Sequence, residues 1–216
     1  MNHAMEVETS LHPNVNLTIY NAHQQAKKQI LDIEKFIDNK VDVIIISPFE
    51  SDSIVPVIEK AKAKGIPVIL IDRKANTTNY TTYIGADNIE VGRLAGKHVA
   101  ASSKGTATVI EISGDYTTSP GIERSKGFRE IVSKYPGIKL HTVSSVDSEY
   151  PKPEFVKLLD SLQNIDYVFC YNDVIAYNAY KIAKSKSLEN KIKFIGVDGL
   201  NGPFGGIQLV KEGVLS

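Results

Sequence analysis

Apolar residues in this chain switch repeatedly between two spacings, and that alternation constrains the fold more than any other feature. Val15, Leu17 and Ile19 alternate as in a half-buried strand, after which Ile30, Ile33, Phe36 and Ile37 recur at helical spacing. Val43–Ile46 is a continuous apolar run, the pattern of a parallel strand covered on both faces. Helical Ile54, Val57, Ile58 and Ala61 follow, with Gly65 as terminator. Ile66–Ile71 and Thr81–Gly85 read as further strands around the irregular polar stretch Lys74–Asn79, and Val91, Leu94, Ala95 and Val99 mark a helix. The same grammar then returns. Strands at Thr108–Ile112, Ile138–Val143, Tyr167–Tyr171 and Ile192–Val197 alternate with helical stripes: Phe128, Ile131, Val132 and Tyr135, then Phe155, Leu158, Leu159 and Leu162, then Ala176, Ala179 and Ala183. Strict alternation predicts an α/β fold of parallel sheets flanked by helices with right-handed crossovers. Two sets predict two similar lobes, residues 1–86 and 87–216, with a ligand between them.

The length of 216 residues suits two lobes with cores of their own. With 25 basic and 25 acidic side chains the formal charge is zero, so no global field draws the chain to nucleic acid or an anionic membrane. The single cysteine, Cys170, lies in an apolar run and reads as core, which excludes an internal disulfide. No apolar stretch approaches the ~20 residues of a membrane helix, and the start of the chain does not read as a secretory signal. Met1–Ser10 reads as the tail of a helix entering the Val15 strand, and Gly206–Ser216 stops just after a helix terminated by Gly213. The expectation is a fragment: the first lobe lacks its opening strand and the second its last crossover. A sheet short of a strand leaves backbone groups unpaired, so a homodimer or strand-exchanged assembly is a further expectation.

In open parallel sheets the carboxyl ends of the strands face the ligand crevice. Here those ends carry Asp72 and Arg73, Asn172 and Asp198, while Arg124 follows the loop Gly114–Gly121 and Tyr150 lies in the connection Ser144–Pro153. Carboxylates and amides accept from hydroxyls, arginine donates as a fork, and tyrosine offers an apolar face, so the set suits a neutral hydroxylated molecule. Simpler readings stand beside it. Asp72–Arg73 would serve as a surface ion pair, Asp173 as the N-cap of the Val174–Ser185 helix, and Tyr150 as loop packing before Pro151.

The runs Asp42–Pro48 (DVIIISP), Gly65–Arg73 (GIPVILIDR), Tyr83–Asn88 (YIGADN), Gly121–Phe128 (GIERSKGF), Tyr167–Asp173 (YVFCYND) and Phe194–Gly199 (FIGVDG) occur in order along nearly the whole chain. Together they resemble the type I periplasmic sugar-binding proteins, close to the ribose-binding group. The resemblance implies that Asp72 and Arg73 hold sugar hydroxyls from the first lobe, that Arg124, Asn172 and Asp198 do so from the second, and that Tyr150 stacks on the ring. It implies a periplasmic location, a monosaccharide or similar polar ligand, no cofactor, no metal, and a hinge that includes Tyr83–Asp87. The family's first strand and last hinge segment have no counterpart here. Within the family the wording is most similar to the sensor domains of membrane-bound hybrid two-component regulators, which implies membrane attachment only through segments outside this chain.

Four rivals are weighed. A glycosidase would use Asp72 and Asp198 as paired carboxylates, yet neither lies in an apolar sequence setting that raises its pKa, and His23, His98 and His141 are scattered. Gly114–Gly121 lacks both the lysine of a P-loop and the spacing of a dinucleotide fingerprint. The ligand core of a lactose-repressor-like transcription factor shares the expected fold, and so does a sugar receptor of an ABC transporter. A DNA-binding headpiece would mark the repressor, and nothing of that kind lies within Met1–Ser10.

Overall fold

The structure, a computed structural model, describes residues 2–144 and 153–216. It divides into two units, one formed by Met1–Ile71 and Ala75–Tyr83, the other by Asp72–Lys74 and Ile84–Ser216.

In the first unit, helix α1 (Asn2–Ser10) buries no residue, whereas α2 (Ala26–Asp38) buries Asp32, Ile33 and Ile37. Strands β1 (Ile44–Ile46), β2 (Val68–Ile71) and β3 (Thr82–Ile84) form a three-stranded sheet in that order, and β1 pairs with β2 in parallel, Ile44 opposite Val68. Between β1 and β2 lies α3 (Val55–Ala63), which starts with Pro56 in its first turn, where the missing N–H costs nothing. It ends as the sequence predicts. Gly65 adopts φ 76, its N–H reaches Lys62 O at 2.9 Å, and the N–H of buried Ile66 reaches Ala61 O at 3.1 Å, a Schellman closure. Ile33, Ile37, Ile44, Ile46, Ile58 and Leu70 make the core of this unit.

Two expectations fail here. The Val15–Ile19 segment is not a strand: Leu17 and Ile19 are half-buried and their neighbours exposed, but no ladder among the described residues includes them. Side-chain alternation gives an extended chain one apolar face; only a hydrogen-bonding neighbour makes it a strand. Nor is β1 covered on both faces, since Ile45 remains 40% exposed while Ile44 and Ile46 are buried.

The second unit carries helices α4 (Asn88–Ser102), α5 (Ser119–Val132), α6 (Pro153–Ser161), α7 (Asp173–Ser185) and α8 (Gly206–Lys211) around strands β4 (Thr106–Ser113), β5 (Gly137–Ser144), β6 (Tyr167–Cys170) and β7 (Lys193–Ile195). All pairings are parallel and the order is β5-β4-β6-β7. Successive side chains of β6 enter different cores: Tyr167 and Phe169 join Val99 and Phe128, while Val168 and Cys170 join Phe155, Ala176 and Ala179. Phe128 stacks on Phe169 with ring centroids 4.2 Å apart. Cys170 is fully buried, which pushes its thiol pKa up and leaves it inert.

Helix α4 buries only part of the stripe its sequence suggests. Val99 is buried and Ala95 packs against the core, but Leu94 is exposed, and the packed face also takes in Asn88, Gly92, Gly96 and Ala100. The reason is close approach to α5: a Cβ on Gly92 would lie 2.1 Å from the Arg124 carbonyl oxygen, and one on Gly127 would lie 2.0 Å from that of Ile89. Only glycine permits this spacing.

At the centre of β4, Glu111 is fully buried. Arg129 Nε approaches its carboxylate at 2.7 Å, and the hydroxyls of Ser125 and Thr142 also bond to it. Nothing in the apolar pattern of the strand signalled this ion pair, which links β4 and β5 to the middle of α5. No helix among the described residues is long and apolar enough to cross a membrane.

Candidate functional site

The carboxyl ends of β6 and β7, the start of α4 and the second turn of α5 bring one polar cluster together in the second unit. Its centre is Arg124, 13% exposed. Nη2 lies 3.0 Å from Asp198 Oδ1, Nη1 donates to Tyr171 O at 2.8 Å, and Nε donates to Asn88 Oδ1 at 2.8 Å. The Tyr171 ring packs on the guanidinium, 4.9 Å from Cζ to the centroid. Three partners in three directions fix the plane of the fork.

Asp198 stands at φ 103 and Asp72 at φ 66, a region that side chains other than glycine rarely occupy. Such strain persists only where the surroundings enforce it, and here the ties are visible. Asp173, buried, brackets Asp198: its own N–H donates to Val197 O at 2.8 Å and its Oδ2 accepts from Leu200 N–H at 3.1 Å. The N–H of Asp72 is held by Ile84 O at 2.9 Å.

Burial pushes the Asp198 carboxyl above the ordinary aspartate range; Arg124 opposes that shift, and the nearby charges of Asp173 and Asp72 add to it. The expectation that Asp198 sits in a setting unable to raise its pKa is therefore wrong. The shift comes from burial in the fold, which its sequence neighbours did not signal.

The N-cap role that the sequence suggests for Asp173 falls to Asn172. The side chain of Asn172 caps α7, its Oδ1 accepting from Ile175 N–H at 2.8 Å, while Asp173 is the first residue of the helix. Because the Asn172 oxygen is engaged, the free edge of its amide is the donor Nδ2. Asp72 and Arg73 pair loosely, Arg73 Nε to Asp72 Oδ2 at 3.9 Å with Asp72 64% exposed, a geometry worth little to stability. The adjoining Lys74 is held more firmly: its N–H donates to Ser119 Oγ at 2.7 Å and its Nζ lies 2.8 Å from Glu123 Oε1. Tyr150 lies outside the described residues.

The structure thus joins Arg124 to Asp198 directly, sets Asn172 beside the carbonyl that Arg124 engages, and puts Asp72 within electrostatic reach of Asp198. Asn88, Tyr171 and Asp173 also belong to the cluster, though sequence reasoning did not select them. In the first unit, Ser47 follows β1 at its carboxyl end. Its carbonyl accepts from Gln29 Nε2 at 2.9 Å, and Gln29 Oε1 takes the N–H of Phe49 at 2.9 Å, which fixes the loop.

Chemically, the cluster presents a carboxylate that only accepts when ionised, an amide edge that donates, and an arginine that orders both. A cavity of about 600 Å³ borders Asp198, lined largely by Val91, Leu94, Ile207, Val210 and Leu215, with Asp173, Lys211 and Ser216 among its polar residues. Mostly apolar and without Arg124 or Asn172, it does not suit hydroxyl recognition.

Comparison with known proteins agrees with this architecture. The ribose import binding protein of Bacillus subtilis (strain 168) is 30% identical over 189 residues, 86% of this chain and 60% of that protein. The galactofuranose-binding protein YtfQ of Escherichia coli (strain K12) is 31% identical over 210 residues, 93% of this chain and 64% of that protein. The chain thus spans about three fifths of the length of these curated relatives. Among solved structures, the fructose-binding periplasmic domain of a hybrid two-component system superposes with a TM-score of 0.90 at 38% identity, covering 99% of this chain and 73% of the other. With helices flanking parallel sheets and a periplasmic binding protein domain match running from residue 2 to residue 216, the chain belongs to the periplasmic binding protein family.

Proposed function

We propose that the carboxyl-end face of the four-stranded sheet holds a small carbohydrate without transforming it, and that the chain is the periplasmic sensor domain of a two-component regulator. The observation that carries the binding reading is the Arg124–Asp198 pair at 3.0 Å, with the guanidinium also held by Asn88 Oδ1 and Tyr171 O. An ionised Asp198 accepts from a hydroxyl through Oδ2, Asn172 Nδ2 donates to a second, and Arg124 keeps the carboxylate charged against the cost of burial. Asp72 and Arg73 add an acceptor and a forked donor, and Tyr150 an aromatic face. A neutral polyol satisfies all of them without an ion entering the site. The named ligands of the relatives, ribose, galactofuranose and fructose, are all of this class.

The sensor reading rests on the 38% identity to the periplasmic domain of a hybrid two-component system. A sugar receptor for import is the second reading, favoured by the relatives named for ribose import. Titration calorimetry with ribose, fructose, arabinose and galactofuranose tests binding: at least one is expected to bind, and Asp198→Asn to weaken it. A panel in which none binds, or an Asp198→Asn variant with unchanged affinity, sinks the site assignment. In cells, Asp198→Asn is expected to abolish a sugar-dependent transcriptional response while sugar uptake continues; lost uptake with an intact response points to the receptor instead.

A further inference from the structure

We propose that Asn88 is a positioning residue for carbohydrate binding, its side-chain oxygen holding the Arg124 guanidinium so that Nη2 stays on Asp198. The inference rests on the reading of this cluster as the sugar-binding surface, but the geometry it invokes exists without a ligand.

Asn88 opens α4 yet does not cap it. That role falls to Asp87, whose side chain accepts from Glu90 N–H at 3.0 Å. The other buried residues of α4 are Gly92, Gly96, Val99 and Ala100, small or apolar. An amide 2% exposed among them is costly to bury unless its polar atoms are paired. Its bonds are two: Oδ1 accepts from Arg124 Nε at 2.8 Å, and Nδ2 reaches Ala86 O at 3.4 Å. Arginine cannot accept, so the amide oxygen must face it, and the Ala86 carbonyl holds the other edge. The close approach of α4 and α5 at Gly92 brings the two side chains within reach.

A guanidinium is a rigid plane, so fixing Nε fixes where Nη1 and Nη2 point. Nη1 on Tyr171 O and Nη2 on Asp198 leave one further edge through which the plane can turn about its stem, and Asn88 closes it. Loss of that contact loosens the cation that keeps Asp198 ionised against burial and against the charges of Asp173 and Asp72. Asn88 touches no ligand in this account. It acts through Arg124.

The test compares Asn88→Leu, which keeps the branched shape and removes the acceptor, with Asn88→Asp, which keeps an acceptor oxygen. NMR without ligand reads two signals, the exchange protection of Arg124 Nε–H and the titration midpoint of the Asp198 carboxyl; calorimetry with D-fructose gives affinity. Asn88→Leu is expected to lose the protection, raise the Asp198 midpoint and weaken fructose binding about tenfold. Asn88→Asp is expected to retain the protection. An unchanged Asp198 midpoint in Asn88→Leu overturns the proposal, as does loss of Nε–H protection in Asn88→Asp. If Asn88→Leu does not fold, Asn88→Ser, too short to reach Arg124, serves in its place with the same expectations. Fructose affinity that survives Arg124→Met counts against the sugar-binding reading instead, whichever way the Asn88 signals fall.

Discussion

Strands β1 and β6 begin as the same kind of sequence and end in different surroundings. One reads III and the other YVFC, both unbroken apolar runs, yet β6 is buried at all four positions while the middle residue of β1 is exposed. For β6, α5 brings Phe128 onto one face and α7 brings Ala176 and Ala179 onto the other. The corresponding face of β1 receives no such cover, and Ile45 stays 40% exposed. An apolar run records that both faces of a strand accept cover, and the packed helices decide whether both receive it.

The polar tips follow the same division. In the four-stranded sheet the tips of β6 and β7 are tied into one network through Arg124; in the first unit Ser47 is held through its carbonyl by Gln29.

The sharpest way to break this comparison is to remove cover where it is complete. Phe169→Ala should cost about 3–5 kcal/mol in urea denaturation, because the ring fills a close-packed layer against Phe128; a loss below about 1 kcal/mol would mean that this face is no better covered than that of β1. Next in size, Arg124→Met should weaken sugar binding by about 1.5–3 kcal/mol in calorimetry, roughly tenfold or more, since the bonds it removes are charge-assisted. Unchanged affinity would dissolve the contrast between the tips joined through Arg124 and the tip of β1.

Acidification should act in the same direction as that variant. The folded state holds the Asp198 proton more tightly than the unfolded chain does. Stability from this group is therefore greatest below the ordinary aspartate pKa, declines as pH rises toward the raised folded value, and is at its lowest above that value. Sugar binding needs the ionised form, so affinity should fall as pH drops through the raised midpoint, and Asp198→Asn should flatten that dependence. A pH profile with its midpoint in the ordinary range for an exposed aspartate would contradict the burial of this carboxyl. The smallest effect belongs to Ile45→Thr, expected to change stability by no more than about 0.5 kcal/mol, as substitutions at exposed positions do. A larger loss would reveal hidden cover over β1.

Much of the fold was legible because it follows from local spacing. The strands from Ile44 onward, the turn at Gly65 and the α7 helix fall where periodicity and terminators put them. Val15–Ile19 was misread because strand identity needs a hydrogen-bonding neighbour, which no local pattern contains. Part of the site was legible too: Asp198, Asn172 and Asp72 stand at or just beyond strand ends. Asn88 was invisible as a functional residue, since its reason for being polar is an arginine 36 positions away on another helix. Glu111 was invisible for the same reason, its partner Arg129 lying 18 positions on.

The order of apolar and polar residues by itself determined that this chain forms parallel sheets with helices between the strands, because side-chain period and chain terminators are properties of neighbours along the backbone. Only the tertiary structure decided which faces are covered, which aspartate caps nothing and instead braces another, and why the Asp198 carboxyl resists ionisation. Those outcomes depend on distances between segments remote in sequence, where burial and Coulomb interaction act through space.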